Sequence, residues 1–361
     1  MKRTMYLTAL LAIVLLLAVG CERKVTNEIV QDNSGFSGAD ECMKCHNDAD
    51  GILQQAVGEW NNSVHASGTS VDYTNRGGGS DCVKCHDHQG FVEWITTGAF
   101  NPPYSNVSAI HCFTCHAPHE NGDFSLRASG PYTLANAVVF DHGNANLCAN
   151  CHHNRTDVRA EVVANKATTN RFGPHHGPQA DLLHGTGGFQ HAGYSYTTST
   201  HATAITDACA GCHMGTVQEH DGYTIGGHSF NMVDEETGYT MVKVCTPCHA
   251  KATATFNFIA DTSHAISDYD GDGTVEGYQT EFEGMMSTLG ALLYSKSVVN
   301  RTITGSDTTY AAKSMTIADQ GTVGAVWNYV MLEEDRSEGI HNFKYAKDLI
   351  KNSIAYLNSL P

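Results

Sequence analysis

Apolar positions along this chain fall into three regimes. From Leu7 to Val19 they run on almost unbroken, over a stretch too short to cross a bilayer as a helix. From about residue 39 to 250 they are scattered among Gly, Asn, Thr and His, and no helical or strand period is sustained. Beyond 250 the pattern sharpens. Phe282, Met285, Met286, Leu289, Leu292 and Leu293 follow a 3, 4 spacing, and so do Val323, Val326, Trp327, Val330 and Met331. Tyr345, Leu349, Ile354 and Leu357 form a looser third stripe. Each stripe is one face of an amphipathic helix, so residues 251–361 are expected to form a helical unit that closes the molecule.

The middle stretch poses a problem. A folded segment this long with so little periodic structure is unusual when side chains alone must fill its interior. Something other than side chains is expected inside it.

The N-terminus reads as a processing segment. Lys2 and Arg3 precede the apolar run, which ends in Ala18-Val19-Gly20-Cys21. Residues 1–20 therefore look like a signal peptide. The small residue before Cys21 resembles the lipobox of bacterial lipoproteins, although Ala18 departs from the usual Leu. In that reading Cys21 is lipidated, and Glu22 rather than Asp directs the protein to the outer membrane. The other reading is an ordinary cleaved signal with a chance cysteine. Residues 21–38, polar and aperiodic, would be the lipidated tether. The expected location is exported, as an outer-membrane lipoprotein on the periplasmic face or the cell surface, held by acyl chains.

Thirteen cysteines and twenty-one histidines are the unusual counts in this 361-residue chain. With Cys21 set aside, every cysteine falls in a C-x-x-C-H motif: Cys42/Cys45/His46, Cys82/Cys85/His86, Cys112/Cys115/His116, Cys148/Cys151/His152, Cys209/Cys212/His213 and Cys245/Cys248/His249. This is the attachment signature of c-type haem. In one helical turn positions i, i+3 and i+4 point the same way, so two thiols can bond the haem vinyl groups while the next histidine reaches the iron as proximal ligand. Disulfides do not require a histidine after every second cysteine. Structural zinc does not use six such sites with no cysteine left over. Thioredoxin-like motifs occur singly beside a βαβ pattern. Six haem c groups would also supply the missing interior. The expected fold is mainly α with much irregular structure and few or no strands, a multihaem cytochrome c fold wrapped around a covalent haem array: a hexahaem domain over 39–250 and a haem-free helical unit over 251–361.

Fifteen histidines remain after the six proximal ones. Such a surplus points to bis-histidine iron. The candidate distal ligands are His65, His119, His142, His175, His176, His201 and His228. His88, His111, His153, His184, His191, His220, His264 and His341 rank lower, His341 because it begins a helix. Met214 and Met232 suit packing better than ligation.

A second constellation is Asp268-Tyr-Asp270-Gly-Asp272-Gly273, which resembles the start of an EF-hand calcium loop. Glu276 falls on the ninth position. The twelfth is Gln279 where a bidentate Glu is expected, leaving Glu281 or Glu283 to substitute. The alternative is a solvated acidic turn.

Net charge is −17, which argues against a nucleic-acid partner. Mean hydropathy is −0.27.

The six motifs, CHAPH, GPHHGPQADLLHGTGG, CAGCHM with GGHSF, DYDGDGTVEG and SEGIHNFKYAKDLI together resemble the multihaem c-type cytochrome lipoproteins of metal-reducing bacteria, over most of residues 40–361. The resemblance implies an electron carrier, not an enzyme, with no catalytic residue beyond the haem ligands. It would relay electrons in periplasmic, outer-membrane or extracellular transport, to other cytochromes or extracellular acceptors. It also implies that His119, His142, His175, His176, His201 and His228 stand where such proteins place axial histidines. Two other functions compete: a multihaem reductase with one open iron, and a homo-oligomer or cytochrome filament subunit.

Overall fold

The computed structural model describes residues 46, 51–67, 82–104, 107–164, 167–220, 223–234, 236–259 and 267–361. The signal segment 1–20, the tether 21–38 with Cys21, and the thiols Cys42 and Cys45 lie outside the described residues. Two compact units are Met1–Asn47 and Asp48–Pro361. The first is described only at His46, which is helical and exposed.

Three long helices organise the second unit: Tyr278–Ser295, Gln320–Asp335 and Phe343–Ser359. Their starts are written in the sequence. Asp319 accepts a hydrogen bond from Thr322 N at 2.6 Å, and Asn342 accepts one from Tyr345 N at 3.2 Å, each satisfying a first-turn donor. Phe282, Met285, Leu289, Val323, Val326, Trp327, Tyr345 and Leu349 are buried in one core, as the stripes require. An antiparallel hairpin, Val299–Thr304 with Asp307–Ala312, joins the first two helices. Gly305, at φ 64°, supplies its left-handed turn residue. The hairpin stands beside the helical expectation for 251–361. Its Thr-rich strands are mostly exposed, so no apolar alternation marks them.

That core does not stop at residue 251. Val158, Val162, Phe172 and Leu182 belong to it, and the strand Ala167–Thr168 pairs with Met315–Thr316. A buried polar seam ties 187–189 to the helices. Trp327 Nε1 donates to Gly187 O at 3.0 Å, Phe189 N to Asn328 Oδ1 at 2.7 Å, and Gly188 N to the Tyr345 hydroxyl at 3.2 Å. Each backbone group removed from water there has a partner.

Between 51 and 259 the described helices are short. Ile52–Asn61 and His88–Thr97, ten residues each, are the longest there. Two small clusters serve this region. One gathers Leu134, Phe140, Ala145, Ala149, Ala180 and Ala208. The other gathers Ile225, Met241, Val242 and Phe256. The described residues thus follow the expected fold class, mainly helical with much irregular structure and a few short antiparallel strands. Among the described residues, no helix is long and apolar enough to cross a membrane.

Candidate functional site

Every described C-x-x-C-H motif is one helical turn. The histidine amide closes on the first cysteine carbonyl in four of them: His86 N to Cys82 O at 3.0 Å, His116 N to Cys112 O at 2.8 Å, His152 N to Cys148 O at 2.9 Å and His249 N to Cys245 O at 2.8 Å. In the remaining one the helix Cys209–His213 spans the motif. Both thiols and the imidazole therefore leave the backbone on one side. None of the ten cysteines among the described residues is in a disulfide.

The turns lie against one another. Cys151 hydrogen-bonds Cys85, and Cys148 hydrogen-bonds Cys209. Cys151 Sγ also reaches Lys84 O at 3.7 Å, and Cys85 Sγ reaches Asn150 O at 3.9 Å. Burial, then the nearby Cys148 and Cys112, push the Cys115 thiol up to about 12. Burial, then Cys212, push Cys245 up to about 11. The bonds from their partners, followed by burial, also raise Cys151 and Cys209, while Cys148, the acceptor facing Cys209, moves down. The second, third and fifth turns thus surround the fourth, and the sixth adjoins the fifth.

Among the ten described cysteines, Cys112 and Cys248 are exposed and the other eight are half-buried.

The histidine of each of the five motifs in this unit has a second imidazole beside it. Ring centroids are 6.5 Å apart for His86 and His175, 6.3 Å for His116 and His228, 6.2 Å for His152 and His65, 6.3 Å for His213 and His341, and 6.1 Å for His249 and His201. Two imidazoles on opposite sides of one metal, with bonds of about 2 Å and ring radii of about 1.2 Å, would have centroids about 6.4 Å apart. All five separations fit that value. Other histidine pairs do not: His88 and His111 are 4.2 Å apart, and His142 and His184 are 5.4 Å apart with a direct 3.1 Å hydrogen bond.

Six of the ten Nδ1 atoms are engaged elsewhere. His116 Nδ1 meets Phe124 O at 2.6 Å, His213 Nδ1 meets Phe230 O at 2.9 Å and His201 Nδ1 meets Ile340 O at 3.0 Å. His152 Nδ1 meets Gln179 Oε1 at 3.2 Å, and His228 Nδ1 meets Glu59 Oε2 at 3.4 Å. His341 Nδ1 lies 2.7 Å from Asp335 Oδ1. An Nδ1–H held this way fixes the tautomer and leaves Nε2 for a metal. Burial, then His152, lower His65 to about 4, and burial with Arg155 lowers His175 to about 4. Both stay neutral, as a ligand must. His341 goes the other way, since the Asp335 carboxylate outweighs burial.

Four sequence candidates, His65, His175, His201 and His228, thus stand opposite proximal histidines. His142 bonds His184 instead. His176 is ion-paired with Glu334. His119 sits on the single turn Pro118–Asn121, its ring 5.7 Å from Phe113. The partner that sequence ranked low is His341. It precedes the cap residue Asn342, so it lies just outside the helix it was taken to begin. A capping Asn directly after the histidine was the available signal. His88, His111, His153 and His191 hydrogen-bond within the fold, to Thr114, Phe113 N, Tyr132 and Ser353. Met232 packs in an apolar cluster and Met214 is exposed. His264 lies outside the described residues.

The acidic loop closes on itself. Gly271 N and Gly273 N donate to Asp268, Asp272 N to Asp270, and Thr274 N to Asp272, at 2.6–3.1 Å. Carboxylate oxygens of Asp268, Asp270 and Glu281 lie within 4.8 Å of one another, as do those of Asp270, Asp272 and Glu276. Desolvation, then Asp272 and its neighbours, push Glu276 up. Glu281, fully buried, accepts from Tyr269 N at 2.6 Å and from Glu276 N at 2.9 Å. It occupies the place that Gln279 vacates. Gln279 bonds Glu338 instead.

No family model matches this chain, and no curated protein sequence matches it. Among solved structures it is similar to the crystal structure of the outer cell wall cytochrome OcwA, at 18% identity and a TM-score of 0.48, covering 83% of this chain and 49% of that one. It is also similar to an undecaheme cytochrome from the S-layer of Carboxydothermus ferrireducens, at 16% identity and a TM-score of 0.42, covering 83% of this chain and 41% of that one. The chain spans about half the length of either, or less.

Proposed function

We propose that this chain is a multihaem c-type cytochrome that relays electrons, holding haem c at each of its six C-x-x-C-H turns. The observation that carries the reading is the 6.1–6.5 Å spacing of five proximal histidines from five partner imidazoles. The cysteine pairs would hold the porphyrins through thioethers, the exposed Cys248 with Cys245 at the sixth. The distal ligands would be His175, His228, His65, His341 and His201 for the second to sixth motifs in order. When bound, haem supplies one-electron iron chemistry with two nitrogen ligands.

The chain's own groups do the rest. Carbonyls of Phe124, Phe230 and Ile340 orient imidazoles, and the interleaved turns set neighbouring centres side by side. With histidine on both sides of five centres, no position is left there for a substrate. This favours a carrier over a reductase. Acidity would direct docking to basic cytochromes or positively charged oxide surfaces, weakening with salt. A lipid on Cys21 would anchor the protein at the outer membrane, a place from which filament growth is disfavoured. Asp268, Asp270, Asp272 and Glu276, completed by Glu281, would hold calcium as a structural ion.

Intact mass of the purified protein is the first test. A mass above that of the polypeptide by six haems, with a c-type reduced-minus-oxidised spectrum, is expected. A colourless product of bare polypeptide mass would end this reading.

A further inference from the structure

We infer that Asp335 is a positioning residue which, through His341, makes the centre at the fifth motif the lowest-potential one of the five in the unit Asp48–Pro361. The inference rests on the ligation proposed above. Asp335 ends the helix Gln320–Asp335 and is 3% exposed. Its Oδ1 lies 2.7 Å from His341 Nδ1, while Oδ2 takes the Ser337 hydroxyl. Among the described residues, its ion-pair partner is His341.

A carboxylate behind an imidazole draws the Nδ1 proton toward itself and makes Nε2 a stronger donor. The stronger donor stabilises ferric over ferrous iron. Burial keeps that charge poorly screened. Only relative stability changes: reduction adds one electron at the iron, and no bond need form or break. The opposite ligand, His213, is itself bonded to Phe230 O at 2.9 Å, so both axial groups push in one direction.

Comparison within the molecule singles this centre out. His116, His201 and His152 are backed by neutral acceptors, two carbonyls and an amide. His228 has a carboxylate, Glu59, but at 3.4 Å. Glu59 also accepts from His228 N at 2.8 Å and from Gln55 Nε2 at 2.7 Å, so its charge is shared among more donors. Among the described residues, the fifth centre has the closest carboxylate at an imidazole Nδ1. The loop that brings it there is built for the purpose. Arg336, Glu338 and Gly339 have φ of 58°, 50° and 84°, conformations that non-glycine residues adopt at a cost.

The test uses the full-length, haem-loaded protein and spectropotentiometry with low-spin counting by electron paramagnetic resonance. Asp335→Asn should move the most negative component to higher potential, leave the others in place and keep the number of low-spin centres. Ser337→Ala, which removes a competing donor from the carboxylate, should move the same component lower, a sign that mere loosening would not give. Glu59→Gln should shift a different component, and less. If the most negative component stays put in both Asp335→Asn and Ser337→Ala, or all components move together, the inference is overturned. His341→Met separates the two levels. Conversion of one centre to a His/Met spectrum leaves the ligation standing whatever Asp335 does. No change in that variant overturns the ligation, and the inference with it.

Discussion

The imidazole of His201 stands 6.1 Å from that of His249 with the two planes crossed at 87°. The same His201 is held by Ile340 O at 3.0 Å, from the loop that also presents His341. One inter-helix loop therefore touches two of the imidazole pairs. His201→Ala should open the sixth centre. A single high-spin ferric signal is expected, with carbon monoxide binding to that centre after reduction and the other centres unaltered. Retention of every low-spin signal in this variant would rule out His201 as a ligand.

The near-perpendicular rings of His201/His249 and of His86/His175, at 87° and 75°, contrast with the 40° of His213/His341. Crossed imidazoles leave low-spin ferric iron strongly anisotropic. Low-temperature paramagnetic resonance should therefore resolve at least two classes of signal, and His341→Met should remove one from the less anisotropic class. A loss from the other class would contradict the pairing.

Calcium should raise the melting temperature of the protein, and chelation should lower it. At a concentration 100 times the dissociation constant, linkage gives about 2.7 kcal/mol. Glu281→Gln keeps the shape of the buried side chain and removes its charge, so its melting temperature should no longer respond to calcium. An equal response in wild type and variant, by differential scanning calorimetry, would exclude the site.

Asp181 has one oxygen bonded to Asn154 N at 2.7 Å and the other without a partner. Burial pushes its carboxyl up to about 7. The folded state thus binds this proton more tightly than the unfolded chain. The group's contribution to stability is full below the ordinary carboxylate range, falls as pH rises toward 7, and is lost above it. Asp181→Asn should flatten that decline, gaining on wild type most clearly at pH 8. Parallel melting curves against pH for the two proteins would disprove the assignment.

Leu349 is fully buried and sits against Gly188, where an added Cβ would lie 2.6 Å from its methyls. Leu349→Ala should cost about 2–5 kcal/mol in denaturant unfolding. Because the same core holds Phe172 and Leu182, the loss should loosen the His175 segment as well as the long helices.

The sequence announced the C-x-x-C-H turns because the proposed thioether geometry needs a fixed three-residue spacing, a local requirement. How far each thiol is covered is not local: Cys248 carries the same spacing as Cys151, yet one is exposed and the other lies among neighbouring turns. The three long helices were equally plain, since Phe282, Val326 and Tyr345 lie on regular stripes. Pairing was hidden because it is set by the path of the chain. His65 stands opposite His152, a later motif, and His341 reaches back to His213 across more than a hundred residues. His142 stands apart for a different reason. Its position before Cys148 is right for a local ligand, yet its ring bonds His184. The hairpin Val299–Ala312 went unseen because its exposed Thr and Asn positions carry no apolar alternation.

Iron-edge anomalous diffraction from crystals of the haem-loaded protein tests the central claim most directly. Anomalous peaks are expected midway between His65 and His152, His86 and His175, His116 and His228, His201 and His249, and His213 and His341. Peaks displaced from those midpoints, or irons bound by any other distal residue, would contradict it.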